Sequence, residues 1–192
     1  MRYSAEHAEA TRARVLEACE RAFRQHGYDG IGVDGLARAA NVTTGAFYNH
    51  FGSKAAAFSA VVAAGVARAG AGLDHGRRTV GPKWLAAAAA YYLGAGHRRD
   101  VTGGCVLPSL STEVSRADHA TRVAYEAELV KLAGMIAESM PDGPNRRAAW
   151  PFLAQLVGGV VLSRAVQDEA LAQEIADAVI AAATTGSTRE TP

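Results

Sequence analysis

Apolar residues recur along this chain with the 3.6-residue period of helices almost from end to end. Val15, Cys19, Ala22 and Phe23 fall at i, i+4, i+7 and i+8 of a helix expected from about Ala8 to His26, and Gly27 is a fitting stop for it. After the glycine-rich connector Tyr28 to Gly32, Val33, Leu36, Ala37 and Ala40 form one apolar face of a second helix. Asn41, which tolerates the left-handed backbone of a helix stop, ends it. Val42 suits the angle between two helices, and Thr43 is a good N-cap for the third. Phe47 and Phe51, four apart, give that third helix a buried stripe. Gly52-Ser53 breaks the chain, and Ser53 caps a helix expected from Lys54 to about Ala71.

The remainder reads the same way. A loop is expected over Gly72 to Pro82, with Pro82 in the first turn of a helix carrying Trp84, Leu85, Ala88, Tyr91 and Tyr92. A second glycine-rich loop runs from Gly94 to Cys105, and a short helix from about Pro108 to Ser115. Asp118 caps a long helix over His119 to Met140 whose apolar residues lie nearly all round. The run Pro141 to Asn145 is a turn. A helix from about Arg146 to Val166 places Leu153, Leu156, Val157, Val160 and Val161 at helical spacing, with Pro151 in its first turns. Asp168 caps the last helix, whose stripe is Leu171, Ile175, Val179 and Ala182, and the tail TTGSTRETP is expected to be disordered. Alanine is abundant and strand-forming runs are scarce, so the expected fold is all-α with nine helices.

Composition narrows the function. Of 192 residues, 49% are hydrophobic and 20% charged, which is ordinary for a globular chain rather than a disordered one. No stretch of about 18 apolar residues lacks charges or turn signals, so no transmembrane helix is expected. The N-terminus lacks an apolar signal core, and a cytoplasmic location follows. Cys19 and Cys105 lie far apart and make no disulfide framework or metal spacing, and no cofactor is expected. Glu113, His97 and His119 form no catalytic constellation, so the chain reads as no enzyme. A net charge of +1 excludes a polybasic nucleic-acid binder. Any contact with phosphates must use local groups such as Arg12, Arg14, Arg38 and Lys54.

One surface has a composition that solvation alone does not explain. The face of the third helix is Thr44, Gly45, Tyr48 and Asn49, with His50 beside it: polar and aromatic, almost uncharged. Thr43 and Thr44 place hydroxyls and backbone N–H groups where the helix dipole favours an anion. Gly45 removes a side chain from a close approach, and Asn49 suits an adenine edge. Tyr48, His50 and Lys54 suit phosphates. Asp34 complements the dipole of the second helix but repels a close phosphate, and the short Thr44 and Ala46 leave direct base readout sparse.

The segment from Thr11 to Phe58 resembles the DNA-binding domain of the tetracycline-repressor (TetR) family of bacterial regulators. The matching residues are Phe23 with Gly27-Tyr28, Val33 with Leu36-Ala37, and Ala40 to Thr43, followed by Gly45, the run Phe47 to Phe51, and Ser53-Lys54. They cover about a quarter of the chain; Gly32, where a capping Ser or Thr is more frequent, departs from the pattern. The resemblance implies a three-helix helix-turn-helix domain over residues 1–53. It implies a helical effector-binding and dimerisation domain over residues 54–192. It further implies a homodimer that represses a short palindromic operator of double-stranded DNA and is released by a small molecule.

An effector pocket needs apolar lining with a few polar anchors. Trp84, Tyr91, Tyr92, Cys105, Leu107, Tyr125, Leu129, Met135 and Phe152 are the candidates, and the absence of a charged cluster among them points to a neutral, partly hydrophobic effector. The dimer seam is expected along Leu153, Leu156, Val157, Gly158, Val160 and Val161 with Leu171, Ile175 and Val179. Gly158-Gly159 either lets twin helices approach or accommodates a bulky neighbour within one subunit. Cys105, beside Gly103-Gly104 and near Arg98 and Arg99, offers an alternative function as a thiol sensor of oxidants or electrophiles, since a positive setting lowers a thiol pKa. A small helical enzyme and a DNA-coating architectural module are the remaining alternatives.

Overall fold

A computed structural model of the chain describes residues 2–140 and 143–185, with side chains described over 7–140 and 143–184. The elements are α1 (Arg2–His26), α2 (Val33–Ala39), α3 (Thr44–Phe51), α4 (Lys54–Val80), a 3-10 turn (Gly81–Lys83), α5 (Trp84–Tyr92), α6 (Ala95–Arg99), α7 (Val106–Val114), α8 (His119–Ala137), α9 (Arg146–Ala165) and α10 (Glu169–Thr185). The described residues contain no strand, so the fold is all-α.

Local capping chemistry sets most boundaries. Asn41 is the one non-glycine among the described residues with positive φ, at 53°, and it turns the chain out of α2. Thr43 Oγ1 accepts the Ala46 N–H at 3.1 Å and Ser53 Oγ the Ala56 N–H at 3.0 Å. Asp118 takes the Thr121 N–H at 2.7 Å, and Asp168 the Ala170 and Leu171 N–H groups at 2.7 and 3.0 Å. Hydrogen bonds from the Thr121 backbone and side chain, helped by the nearby His119, hold the Asp118 carboxyl below the usual carboxylate range. Asn145 caps α9 through the Arg147 N–H at 3.0 Å. Within the expected Pro141–Asn145 turn, Gly143 has φ +88°, while residues 141 and 142 lie outside the described residues. So does the tail from residue 186, where disorder was expected; α10 itself continues to Thr185.

Two expected loops are helical instead. α4 does not end near Ala71 but runs to Val80. Glycines 70, 72 and 76 weaken it, yet Asp74 accepts from Arg77 at 2.9 Å and from Arg78, and Arg77 reaches Glu138 at 3.3 Å. The Arg77 hydrogen bond and the two guanidinium charges lower the Asp74 pKa. Side-chain pairs at i+3 and i+4 thus carry the helix through a glycine-rich stretch until Gly81, at φ +74°, stops it. Residues Gly94 to Cys105 are also not all loop, since they contain α6. Arg164 of α9 supplies the reason: its guanidinium donates to the carbonyls of Arg98 (2.7 Å), His97 (3.1 Å) and Asp100 (3.1 Å), and to Ser109 Oγ (3.3 Å). A cation placed on orphan C-terminal carbonyls stabilises a one-turn helix that propensity would not.

The chain divides into two compact units. The first is Met1–Gly65 with Leu110–Ala127. Its core is Val15, Cys19, Phe23, Leu36, Phe47, Phe58, Val61 and Leu110, with the Phe23 and Phe58 rings edge-on at 5.2 Å. Burial pushes the Cys19 thiol up to about 11. Glu113 of α7 accepts the Tyr28 N–H at 3.0 Å, fixing the connector that follows α1. The second unit is Val66–Ser109 with Glu128–Pro192. There α9 packs along α10 with α5 against both, around Trp84, Leu93, Ile136, Phe152, Leu156, Val160 and Ala176. A Cβ on Gly159 would sit 2.7 Å from Leu93 Cδ2 and 3.2 Å from Val179 Cγ1, so this glycine permits helix contact inside one chain.

By length and composition alone, two stretches are apolar enough to cross a membrane: Lys54–Tyr92, counting the 3-10 turn, and Arg146–Ala165. The sequence reading did not foresee α4 and α5 forming one long helical stretch. Both stretches carry buried core faces, including Val61, Val62 and Val66 in the first and Phe152, Leu156 and Val160 in the second. Core helices of non-membrane proteins pass the same test.

Candidate nucleic-acid interface

α2 and α3 form a rigid pair because each buries one side. Leu36, Ala37 and Ala40 of the first element and Phe47 and Phe51 of the second are all buried. The Asn41 turn is closed by the Val42 N–H on the Ala37 carbonyl at 3.0 Å. Arg12 of α1 clamps the far end of α3: its guanidinium stacks 4.9 Å over the Phe51 ring and donates to the His50 carbonyl at 2.5 Å. Sequence reading offers Arg12 only as a loose basic group, because a contact 38 residues away leaves no local signal.

What α3 leaves outward is the face singled out above. Tyr48 is 48% exposed, and Thr43, Gly45 and Asn49 are exposed beside it. The nearest atom to a Cβ built on Gly45 is Thr43 Oγ1 at 4.0 Å, so the fold does not require glycine there. Thr44 is half-buried, and its hydroxyl donates to Asp34 Oδ1 at 2.8 Å. Lys54 is also half-buried, with its ammonium 4.2 Å above the Tyr28 ring. His50 is half-buried, its ring 6.3 Å from Phe51. Four of the seven residues expected to meet DNA therefore stand exposed, and three are tied in part to the fold. Gly32 caps α2 with extended backbone and no side-chain bond.

The other expected groups are placed less uniformly. Trp84, Tyr92, Cys105, Leu107 and Phe152 are buried in the second unit, and Leu129 and Met135 are half-buried there. Tyr91 is corrected: it is 76% exposed and lines no interior, because only one side of α5 is buried and its neighbour Tyr92 takes the inward position. Tyr125 belongs to the first unit, where its hydroxyl pairs with Ser111 at 2.7 Å. The buried indole Nε1–H of Trp84 meets no acceptor among the described residues.

At the expected seam, Leu153, Leu156 and Val160 are buried within their own chain, on the helix that packs against α10 and α5. Val157, Gly158, Ile175 and Val179 are half-buried, while Val161, Leu162 and Leu171 are 43%, 58% and 43% exposed. Both arginines expected near Cys105 pair with side chains of α10. Arg98 is buried and donates to Gln173 at 2.6 Å, and Arg99 pairs with Glu169 at 3.0 Å. The buried Cys105 Sγ instead accepts the Leu107 N–H at 3.5 Å, and its own N–H donates to His97 Nε2 at 3.2 Å. Among the described residues no group of three or more His, Cys, Asp or Glu side chains is arranged to hold a metal ion.

Comparison with known proteins bears on this geometry. Residues 15–61 match the family of bacterial regulatory proteins of the tetR type. The HTH-type transcriptional regulator TtgR of Pseudomonas putida is 44% identical over 55 residues, 29% of this chain and 26% of that protein. The match therefore spans about a quarter of the length of that relative. Among solved structures, reduced NemR of E. coli has a TM-score of 0.75 at 21% identity, covering 92% of this chain and 96% of its own. A TetR-family regulator of Agrobacterium tumefaciens has a TM-score of 0.73 at 17% identity, covering 91% and 98%. Residues 15–61 thus match the helix-turn-helix of the TetR family of transcriptional regulators, and the chain as a whole shares the helical fold of these solved structures.

Proposed function

We propose that this chain is a homodimeric repressor that binds a short palindromic operator and leaves it when a small molecule binds. The observation that carries the reading is the exposed, nearly uncharged face of α3 on a two-helix pair clamped by buried phenylalanines and Arg12. Residues 1–53 act as the DNA-binding domain and residues 54–192 as the effector-binding and dimerisation domain. Asn49 reads a base edge, Thr43 and Tyr48 hold phosphates, and Gly45 lets the helix approach. Lys54 and His50 add backbone contacts, the first by swinging from the Tyr28 ring toward a phosphate oxygen.

The dimer reading is supported by the outward side of α9, where Ala154, Val161, Leu162 and Ala165 are exposed without a charge among them, continued by Leu171 on α10. Such a face is covered in stable proteins, and a twin copy covers it isologously. The effector enters the second unit and offers an acceptor to the Trp84 indole N–H, a buried donor that otherwise costs free energy. A repressor of this kind works in the cytoplasm and needs no membrane. Thiol sensing through Cys105 is the alternative, and its burial counts against it. If it holds, Cys105→Ser keeps DNA binding and loses release by a thiol-reactive compound.

The test combines sedimentation of the full chain at micromolar concentration with selection of bound duplexes from a random pool. The expected result is a dimer that enriches one palindrome with half-sites an integral number of helical turns apart. A monomer, or a pool that never converges, overturns the proposal.

A further inference from the structure

The hydrogen bond between Thr44 and Asp34 has a direction fixed by chemistry. An ionised carboxylate has no proton to give, so across the 2.8 Å separation Thr44 Oγ1 donates and Asp34 Oδ1 accepts. A free threonine hydroxyl adapts to either kind of base edge by rotating its proton. Here the proton is committed, and only lone pairs remain on Thr44 Oγ1. Asp34 is exposed beside it and contributes further carboxylate lone pairs and a negative charge. Gly45, next along the helix, adds no donor.

We infer that Asp34 and Thr44 together are a specificity-determining pair that selects an amino-bearing base on the contacted strand and rejects a keto base. In the major groove, cytosine N4 and adenine N6 donate, whereas guanine O6 and N7 and thymine O4 only accept. An acceptor-only pair bonds to the first two and faces lone pair against lone pair with the others. Cytosine is favoured over adenine, because adenine carries the N7 acceptor next to its amine and the carboxylate is repelled by it. Asp34 is thus a positioning residue acting through Thr44. The same negative charge disfavours a phosphate contact by Thr44 itself.

This inference rests on the DNA-binding reading proposed above, and the experiment separates the two. Duplexes selected by the full-length wild type are compared with those selected by Thr44→Val, which locates the base pair Thr44 reads. At that pair, cytosine is then replaced by 2-pyrimidinone, or adenine by purine, each lacking only the amine. Wild-type affinity is expected to fall roughly tenfold on the amine-deleted duplex, the size of one hydrogen bond to a charge-assisted acceptor. For Asp34→Ala the same replacement is expected to change affinity less than about twofold, since the freed hydroxyl adapts, with random-duplex binding equal or tighter. Thermal unfolding checks that Asp34→Ala remains folded. Enrichment of guanine or thymine at that position, no position altered by Thr44→Val, or full amine discrimination retained by Asp34→Ala overturns the inference while leaving DNA binding intact. A wild type that binds no duplex removes both.

Discussion

Gly45 and Cys19 show how single positions separate fold from function. Gly45 occupies a helical position where added atoms meet nothing closer than 4.0 Å within the chain. Gly45→Ala should therefore raise thermal stability slightly, since alanine is the better helix former by about 1 kcal/mol. The same methyl should weaken operator binding several-fold in an anisotropy titration; unchanged affinity would mean that α3 does not approach the duplex closely. Cys19 is buried in the first unit and its thiol is pushed up to about 11 by burial. Because the fold favours the protonated thiol, this contribution is complete below the ordinary thiol pKa and is lost as pH rises from there to about 11. Iodoacetamide at pH 8 should leave Cys19 unmodified in the native protein and label it in denaturant, as read by intact-mass spectrometry. Residue-scale features of this kind were the most legible in the sequence. Asn41, Thr43, Ser53, Asp118 and Asp168 act on backbone groups two or three positions away, so spacing alone reveals them.

Elements were legible only where their stabilisation is local. α2 and α3 are short, capped and striped, and their ends follow from the residues themselves. α6 is different, because a guanidinium about 65 residues further along holds its C-terminal carbonyls. The extension of α4 depends partly on Glu138, equally remote. The Gly158-Gly159 pair shows the same limit, since spacing could not say which glycine served the subunit. A Cβ at 159 meets Leu93 and Val179, and one at 158 meets nothing within 4 Å. Gly159→Ala should cost about 1–3 kcal/mol by overpacking, visible as a lower midpoint in urea. Gly158→Ala, which meets nothing and gains alanine's helix propensity, should raise that midpoint slightly at low protein concentration and shift the monomer–dimer equilibrium measured by sedimentation. Equal effects of the two substitutions would contradict an outward-facing seam on α9.

For the molecule as a whole, net charge is the deciding quantity. With only +1 overall, non-specific attraction to DNA is weak, so the proposed function requires affinity to come from matched contacts repeated in two half-sites. The helix-turn-helix was readable because its chemistry is concentrated in about fifty consecutive residues. Which apolar side chains of the second unit face inward was not, because one helix wheel cannot assign them to inside or outside, as Tyr91 and Leu156 show. The most direct test of the account is a salt titration of the full chain against its selected palindrome and a scrambled duplex of equal length. The account predicts binding to the palindrome at least about a thousandfold tighter at physiological salt, with affinity for both falling as salt rises. Equal affinity for the two duplexes, or no binding to either at low ionic strength, would contradict it.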